Sequence, residues 1–328
     1  MPLPSSGQIS FSQLAAELGN ACLNVSLRSY SACANLTSPD SIIELYGKSC
    51  IPIYGGAGVW SVGGAMITAR RSSGGGGTQN EVFIAGGYNG ANLSCTEEYN
   101  GTSWSEGGAL STARHALSGI GTQNAGLVAG GYPGYSNTEE YNGTSWSTES
   151  SLITARGYLA GTGTQNAGLT AGGITPPTVS GTEEYNGTSW STGGILITAR
   201  YGLVGMGTQN AGLATGGYAG GNLSCTEEYN GASWSEGGTL IIARAYSAGA
   251  GTQNEGLAIG GYGTPVYVSC TEEYNGTSWS AGGALITARW ASTGAGSQGA
   301  GLAAGGYRNT SVSCTEEYNK SIIGKCLG

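Results

Sequence analysis

The groups in this chain that could do chemistry are few and oddly distributed. His115 is the sole histidine. Acids come mostly as six Glu-Glu pairs, at 97–98, 139–140, 183–184, 227–228, 272–273 and 316–317. One histidine cannot build a copper or zinc centre, which draws on imidazole or clustered thiolates, and there is no CxxC. Carboxylates repeated six times suggest framework rather than one asymmetric acid–base pair. A glycosidase built on Asp40 or on an irregular acid such as Glu106 is the weak alternative. The expectation is a chain that is not an enzyme, with no metal site and no cofactor. His115 reads as a variable packing or surface residue, because its counterparts are Gly157, Tyr201, Ala245 and Trp290.

The remaining candidate chemistry is recognition. Six short segments break an otherwise repetitive sequence, and they carry Tyr88, Asn89, Tyr132, Tyr135, Tyr218, Asn222, Tyr262, Tyr267, Tyr307 and Asn309. Tyrosine faces stack on sugar rings and amides meet hydroxyls, but the same residues suit a protein partner. Ordinary exposed loops with no ligand are the bland alternative.

The elements that position these loops repeat about every 44 residues. The markers are Trp60, Trp104, Trp146, Trp190, Trp234 and Trp279, followed by Arg70, Arg114, Arg156, Arg200, Arg244 and Arg289. Glycine fills 63 of 328 positions, far above the usual ~7% and with no collagen period. It reads as turn punctuation. Within one unit, His115–Gly119 is expected as a first strand and Ala125–Ala129 as a second. Thr138–Tyr141 is a third, and Asn142-Gly143 forms a two-residue hairpin into a fourth over Thr144–Ser147. Four antiparallel strands make a propeller blade.

The first unit has Trp60 but no Thr-Glu-Glu-Tyr, and the last has Thr315–Tyr318 but no tryptophan. Each end lacks what the other supplies. The fold class is therefore all-β: a six-bladed propeller over 51–328, closed by one composite blade, with a separate segment at 1–50. The tryptophans are expected to pack between blades, with a surface aromatic platform as the rival. The arginines are expected to pair with one glutamate of each pair, since neighbouring strand residues face opposite ways; solvent-facing charge is the alternative.

Cys95, Cys225, Cys270 and Cys314 share one repeat position and read as free, small, buried thiols. A Cys50–Cys326 bridge near ring closure stays open. A net charge of -8, with half the basic residues in the framework, argues against nucleic acid. No apolar run is long enough for a membrane span, and the N-terminus lacks the pattern of a signal peptide. Two short helices are expected in the first fifty residues, capped by Ser12 and Ser38.

The repeat resembles the kelch repeat, in which a double glycine, a tyrosine, a tryptophan and an arginine recur in that order, here Gly86-Gly87, Tyr99, Trp104 and Arg114. Shorter blades and Asn-Gly turns depart from that pattern. Residues 6–12 (Ser-Gly-Gln-Ile-Ser-Phe-Ser) and Glu44-Leu45-Tyr46-Gly47 resemble the starts of tailed-bacteriophage tail and fibre proteins. That resemblance implies a virion structural protein assembled in the host cytoplasm and displayed on the particle surface. It would be anchored to other virion proteins through 1–50, with the propeller meeting a host glycan or protein; a homo-oligomer is compatible. The alternatives are an architectural decoration or connector protein and a cellular kelch-type protein-interaction scaffold.

Overall fold

A computed structural model describes residues 49–54, 58–264, 266–320 and 322–327. Within them, Val59–Asn319 forms one compact unit. It contains six four-stranded antiparallel sheets. Blade 1 runs through Gly74–Gly77, Val82–Ala85, Thr96–Tyr99 and Trp104–Gly107. Blade 2 uses Ser118–Thr122, Ala125–Ala129, Thr138–Tyr141 and Trp146–Glu149. Blades 3, 4 and 5 start at Ala160–Thr164, Val204–Thr208 and Ala248–Gly251. Blade 6 is composite: Thr293–Gly296, Ala300–Ala304 and Thr315–Asn319 are completed by Val59–Val62 from the other end of the unit. The seam pairs Trp60 with Tyr318, as Trp104 pairs with Tyr99 in blade 1. In the other unit, Ser49–Tyr54 pairs with Ile322–Leu327, placing Cys50 opposite Cys326 in the register. The side chains of that pair, and the two expected helices, lie outside the described residues.

Strand positions differ from expectation at two places. The first strand of blade 2 is Ser118–Thr122, not His115–Gly119, and His115 sits outside it in an isolated bridge to Tyr132. The fourth strand is Trp146–Glu149, because the Asn-Gly turn is a four-residue loop. Asn142 Oδ1 accepts from the N–H groups of Thr144 and Ser145, so the side chain replaces a backbone acceptor and lengthens the turn.

Three sixfold devices join neighbouring blades. The tryptophan Nε1–H donates to a threonine of the preceding blade, as in Trp104 to Thr315 and Trp190 to Thr138. The tyrosine hydroxyl donates to the second glutamate of the preceding blade's pair, as in Tyr141 to Glu98 at 2.6 Å. Five of the six positions make that bond; at the sixth, Tyr185 still faces Glu140, and burial and then that carboxylate raise its phenol. The glutamine of each Gly-Thr-Gln-Asn turn donates to two carbonyls of the preceding blade, as in Gln165 to Gly126 and Tyr141. Five of the six tryptophans are buried, and Trp146 is partly so, edge-on to Phe83.

The first glutamate of each pair meets the repeat arginine in a buried ion pair: Arg70–Glu97, Arg114–Glu139, Arg156–Glu183, Arg200–Glu227, Arg244–Glu272 and Arg289–Glu316. The same carboxylate accepts from the linker entering the blade, as Glu97 does from the N–H of Ile67 and Thr68. Alternation along the strand thus assigns the two acids different tasks.

The first strands line the axis and touch in a closed cycle. At the position held by Gly75, Gly119, Gly161, Gly205, Gly249 and Gly294 they approach too closely for a side chain. A Cβ on Gly119 would lie 1.9 Å from the Gly75 nitrogen, and one on Gly294 would lie 2.4 Å from the Gly249 carbonyl oxygen.

Candidate functional site: the aromatic mouth

Strand direction places the loops between second and third strands, and the linkers between blades, on one face. The Gln-Asn and Asn-Gly turns lie on the other. On the loop face the linker bends inward just after each repeat arginine, and the bend closes a ring of its own. Ser72, Ala116, Tyr158, Gly202, Tyr246 and Ala291 each donate a backbone N–H to the carbonyl of the equivalent residue in the preceding blade, at 2.6 to 2.8 Å. All six have φ between 52° and 61°, a left-handed conformation that costs a non-glycine residue roughly 1–2 kcal/mol. Such local strain, held by surrounding bonds, concentrates at functional positions.

Above this ring the side chains form an unbroken circuit. Tyr88 meets His115 at 5.2 Å between ring centroids, His115 meets Tyr132 at 5.5 Å, and Tyr132 meets Tyr158 at 5.7 Å. Tyr158 then reaches Tyr246 at 5.4 Å, Tyr246 reaches Trp290 at 5.2 Å, and Trp290 reaches Tyr307 at 5.5 Å. Arg71 closes the circuit, its guanidinium 4.5 Å from the Tyr307 ring and 4.8 Å from that of Tyr88. Tyr201 packs against both Tyr158 and Tyr246 and carries Tyr218 behind it.

Tyr158 and Tyr246 belong to blades 3 and 5, so their contact bridges blade 4. Gly202 permits it: a Cβ there would lie 2.8 Å from two atoms of the Tyr246 ring. Below the circuit is an axial cavity of about 90 Å³, with Leu117, Leu159 and Leu203 on one side and Ser73, Ser247 and Ser292 on the other. Ser292 is buried, and neither its Oγ nor Trp290 Nε1 has a hydrogen-bond partner among the described residues.

His115 holds Asn92 Oδ1 at 2.8 Å through Nδ1. Burial, and then the Arg71 charge, push its imidazole below the ordinary value, so the ring is neutral near pH 7. Burial also raises the Tyr158 phenol.

Of the loop residues expected at the site, Tyr88, Tyr132, Tyr218, Tyr262 and Tyr307 stand in this arrangement. Tyr267 joins through Tyr262 and Tyr307, and Asn222 braces the Tyr262 carbonyl. Tyr135, Asn89 and Asn309 lie outside the circuit. Arg71, His115, Tyr158, Tyr201, Tyr246 and Trp290 were not among the expected site residues. Their signal is a pair following each repeat arginine: Arg-Ser, His-Ala, Gly-Tyr, Tyr-Gly, Ala-Tyr and Trp-Ala. Each pair holds one bulky and one small residue.

The cysteines also differ from expectation. Cys95, Cys225, Cys270 and Cys314 are free but half-buried, and three accept a guanidinium N–H at 3.0 or 3.1 Å. Burial raises the Cys225 thiol.

No family model matches the chain, and no curated protein matches it. Among solved structures 349 chains are similar. One, described as "Structure of YjhT", aligns with a TM-score of 0.65 at 12% identity, over 76% of this chain and 95% of that one. That likeness is one of fold, and the kelch label stays a resemblance.

Two expectations are corrected. The bacteriophage virion, tail-fibre and host-receptor assignment is withdrawn: it rested on two short motifs outside the described residues, and the likeness to YjhT supports the propeller fold and no virion role. The exclusion of an enzyme also falls. It leaned on repetition of the acids, whereas this fold, shared with YjhT, gathers the unrepeated groups, His115 and Arg71 included, at one mouth, and a fold alone excludes no chemistry.

Proposed function

We propose that the propeller is a cellular protein-interaction scaffold that receives its partner on the loop face, with the aromatic mouth at the centre of the contact. The closed circuit from Tyr88 to Arg71 carries this reading. Tyrosine, tryptophan and arginine are the residues that anchor protein interfaces, most of all near the geometric centre. The surrounding linkers supply an apolar belt: Ile67, Ile153, Ile197, Ile241 and Ile286, at one repeat position, are each between 54% and 61% exposed. Exposed aliphatic side chains repeated around one face favour a protein surface over a sugar.

The test is photo-crosslinking in cells. A photoreactive residue replaces the exposed Tyr132, and in a control it replaces Asn230 in a turn on the opposite face. The expected result is a discrete adduct from position 132 alone, lost when Tyr158→Ala and Tyr246→Ala are combined. Equal adducts from both faces, or an adduct indifferent to the two substitutions, would overturn the reading.

A further inference from the structure

The six repeat arginines are neutralised by buried glutamates, but the residue after the first of them is not. Among the described residues, Arg71 has no carboxylate within ion-pair distance. Tyr88 and Tyr307 hold its guanidinium, and Nη1 donates to Ser311 Oγ at 3.3 Å. Stacking engages the faces of the guanidinium plane and leaves its in-plane donors free. None of those nitrogens is buried without a partner, so the remaining donors are open to a ligand. The Arg71 charge is felt inward, at His115 and at Tyr158.

The mouth is therefore two-sided. The arc of blades 6, 1 and 2 carries small residues at the inner ring, Ala291, Ser72 and Ala116, with Arg71 above them. The arc of blades 3 to 5 carries the wall of Tyr158, Tyr201 and Tyr246. Among the described residues no carboxylate lines the axial cavity, although the chain as a whole is acidic. A cation fixed between rings beside an aromatic wall suits a carboxylate attached to an apolar body.

We infer that the mouth binds an acidic side chain of the partner protein, with its carboxylate on the free donors of Arg71 and the neighbouring apolar group against Tyr158, Tyr201 and Tyr246. This rests on the reading of the loop face as the partner face.

The experiment is calorimetric titration of the full chain with two capped dipeptides, acetyl-Phe-Glu-amide and acetyl-Phe-Gln-amide, with glucuronate as an acidic saccharide. A charge-assisted bond to a carboxylate is expected to make the glutamate peptide bind about tenfold or more tighter than its amide. That ratio should shrink as salt is added. Arg71→Gln should erase the ratio by weakening the glutamate peptide far more than the glutamine peptide, and Tyr246→Ala should weaken both peptides. Equal binding of the two peptides, binding of neither, or tighter binding of glucuronate would each overturn the inference. So would a ratio that survives Arg71→Gln. The acid–amide comparison on the unaltered chain decides the matter even if Arg71→Gln fails to fold. Should the ratio be absent while the position-132 adduct persists, the acidic ligand is wrong and the partner face stands.

Discussion

Gln79 donates from Nε2 to the carbonyl of Tyr318 at 2.9 Å, joining residues 239 apart in sequence. A second bond from the same nitrogen reaches the Gly301 carbonyl at 3.0 Å. Every blade has this glutamine, and the one at position 79 fastens blade 1 to the composite blade. It is the point where a repeating device becomes a ring closure. Gln79→Leu leaves two buried carbonyls without their donor, a loss of about 2 kcal/mol. The expected outcome is a melting temperature several degrees lower. Thr102→Ala, on an exposed turn, should change nothing measurable. A Gln79→Leu chain that melts with the parent would show that the other bonds between these blades, Trp104 to Thr315 and Tyr99 to Glu317 among them, hold the seam without it.

The buried ion pairs fix geometry more than they add stability. Removing one partner leaves a bare charge in the interior, at a cost of about 3–5 kcal/mol. Arg114→Leu strands Glu139 in this way. Combining it with Glu139→Leu removes the orphan charge but also frees the Ser111 N–H, which Glu139 holds at 2.7 Å. The double variant should therefore recover part of the loss and not all of it. Denaturant unfolding of the two single variants and the double one checks this. A double variant no better than Arg114→Leu would place the cost in the backbone clamp and not in the charge.

The blade count and the seam were legible in the sequence because they depend on repetition. Six tryptophans in phase and two complementary half-units leave few ways to close a sheet. The tasks of the two acids in each pair were half legible: alternation separates them, but only packing says that Glu98 meets Tyr141 in the next blade. The mouth was hidden for the opposite reason. Its residues are the ones that break the repeat, and the bulky member switches place, from the first position at His115 to the second at Tyr158. A search along a single column of repeats sees Gly157 and Ala245 there and finds no pattern. The inner ring was hidden too, because left-handed φ at Tyr158 and Tyr246 is imposed by bonds between blades and not by local sequence.

Close approach at the axis sets a sharp contrast between glycines. Gly119→Ala drives a methyl group into the Gly75 backbone, at 1.9 Å from its nitrogen, and neither strand can yield without moving a blade. Overpacking of this kind costs about 1–3 kcal/mol even where side chains can adjust, and here the obstacle is backbone. Expression as insoluble or molten protein is the expected result. Gly221→Ala meets nothing within 4 Å and should fold with an unchanged circular dichroism spectrum. Equal behaviour of the two would mean the first strands do not pack at this distance.

The inner ring makes a prediction of the opposite sign. Ser72 sits at φ 52°, where a Cβ is strained and glycine is not. Its side chain makes no hydrogen bond among the described residues, whereas its backbone N–H and carbonyl both belong to the ring. Ser72→Gly keeps those bonds and relieves the strain, a gain of about 1 kcal/mol. Ser72→Val, branched at Cβ, should lose stability. Melting curves of the pair decide it, and a destabilised Ser72→Gly would show that the ring is not strained.

Alkali should open the blades through their tyrosines. Burial first, and then the hydrogen bonds to Glu317, Glu98 and Glu228, push the phenols of Tyr99, Tyr141 and Tyr274 up to about 12. A phenol raised in the folded state holds its proton more tightly there than in the unfolded chain, where it titrates near 10. The stability this confers is complete below pH 10 and is lost as pH climbs through about 12. Phenolate absorbance should accordingly rise in two stages, the exposed tyrosines first and the blade tyrosines only as the circular dichroism signal collapses. Tyr141→Phe deletes one such group together with its bond to Glu98. It should lower stability at neutral pH and flatten the decline between pH 10 and 12. If all the phenols titrate near 10 with the fold intact, the bonds between blades are not holding protonated tyrosine.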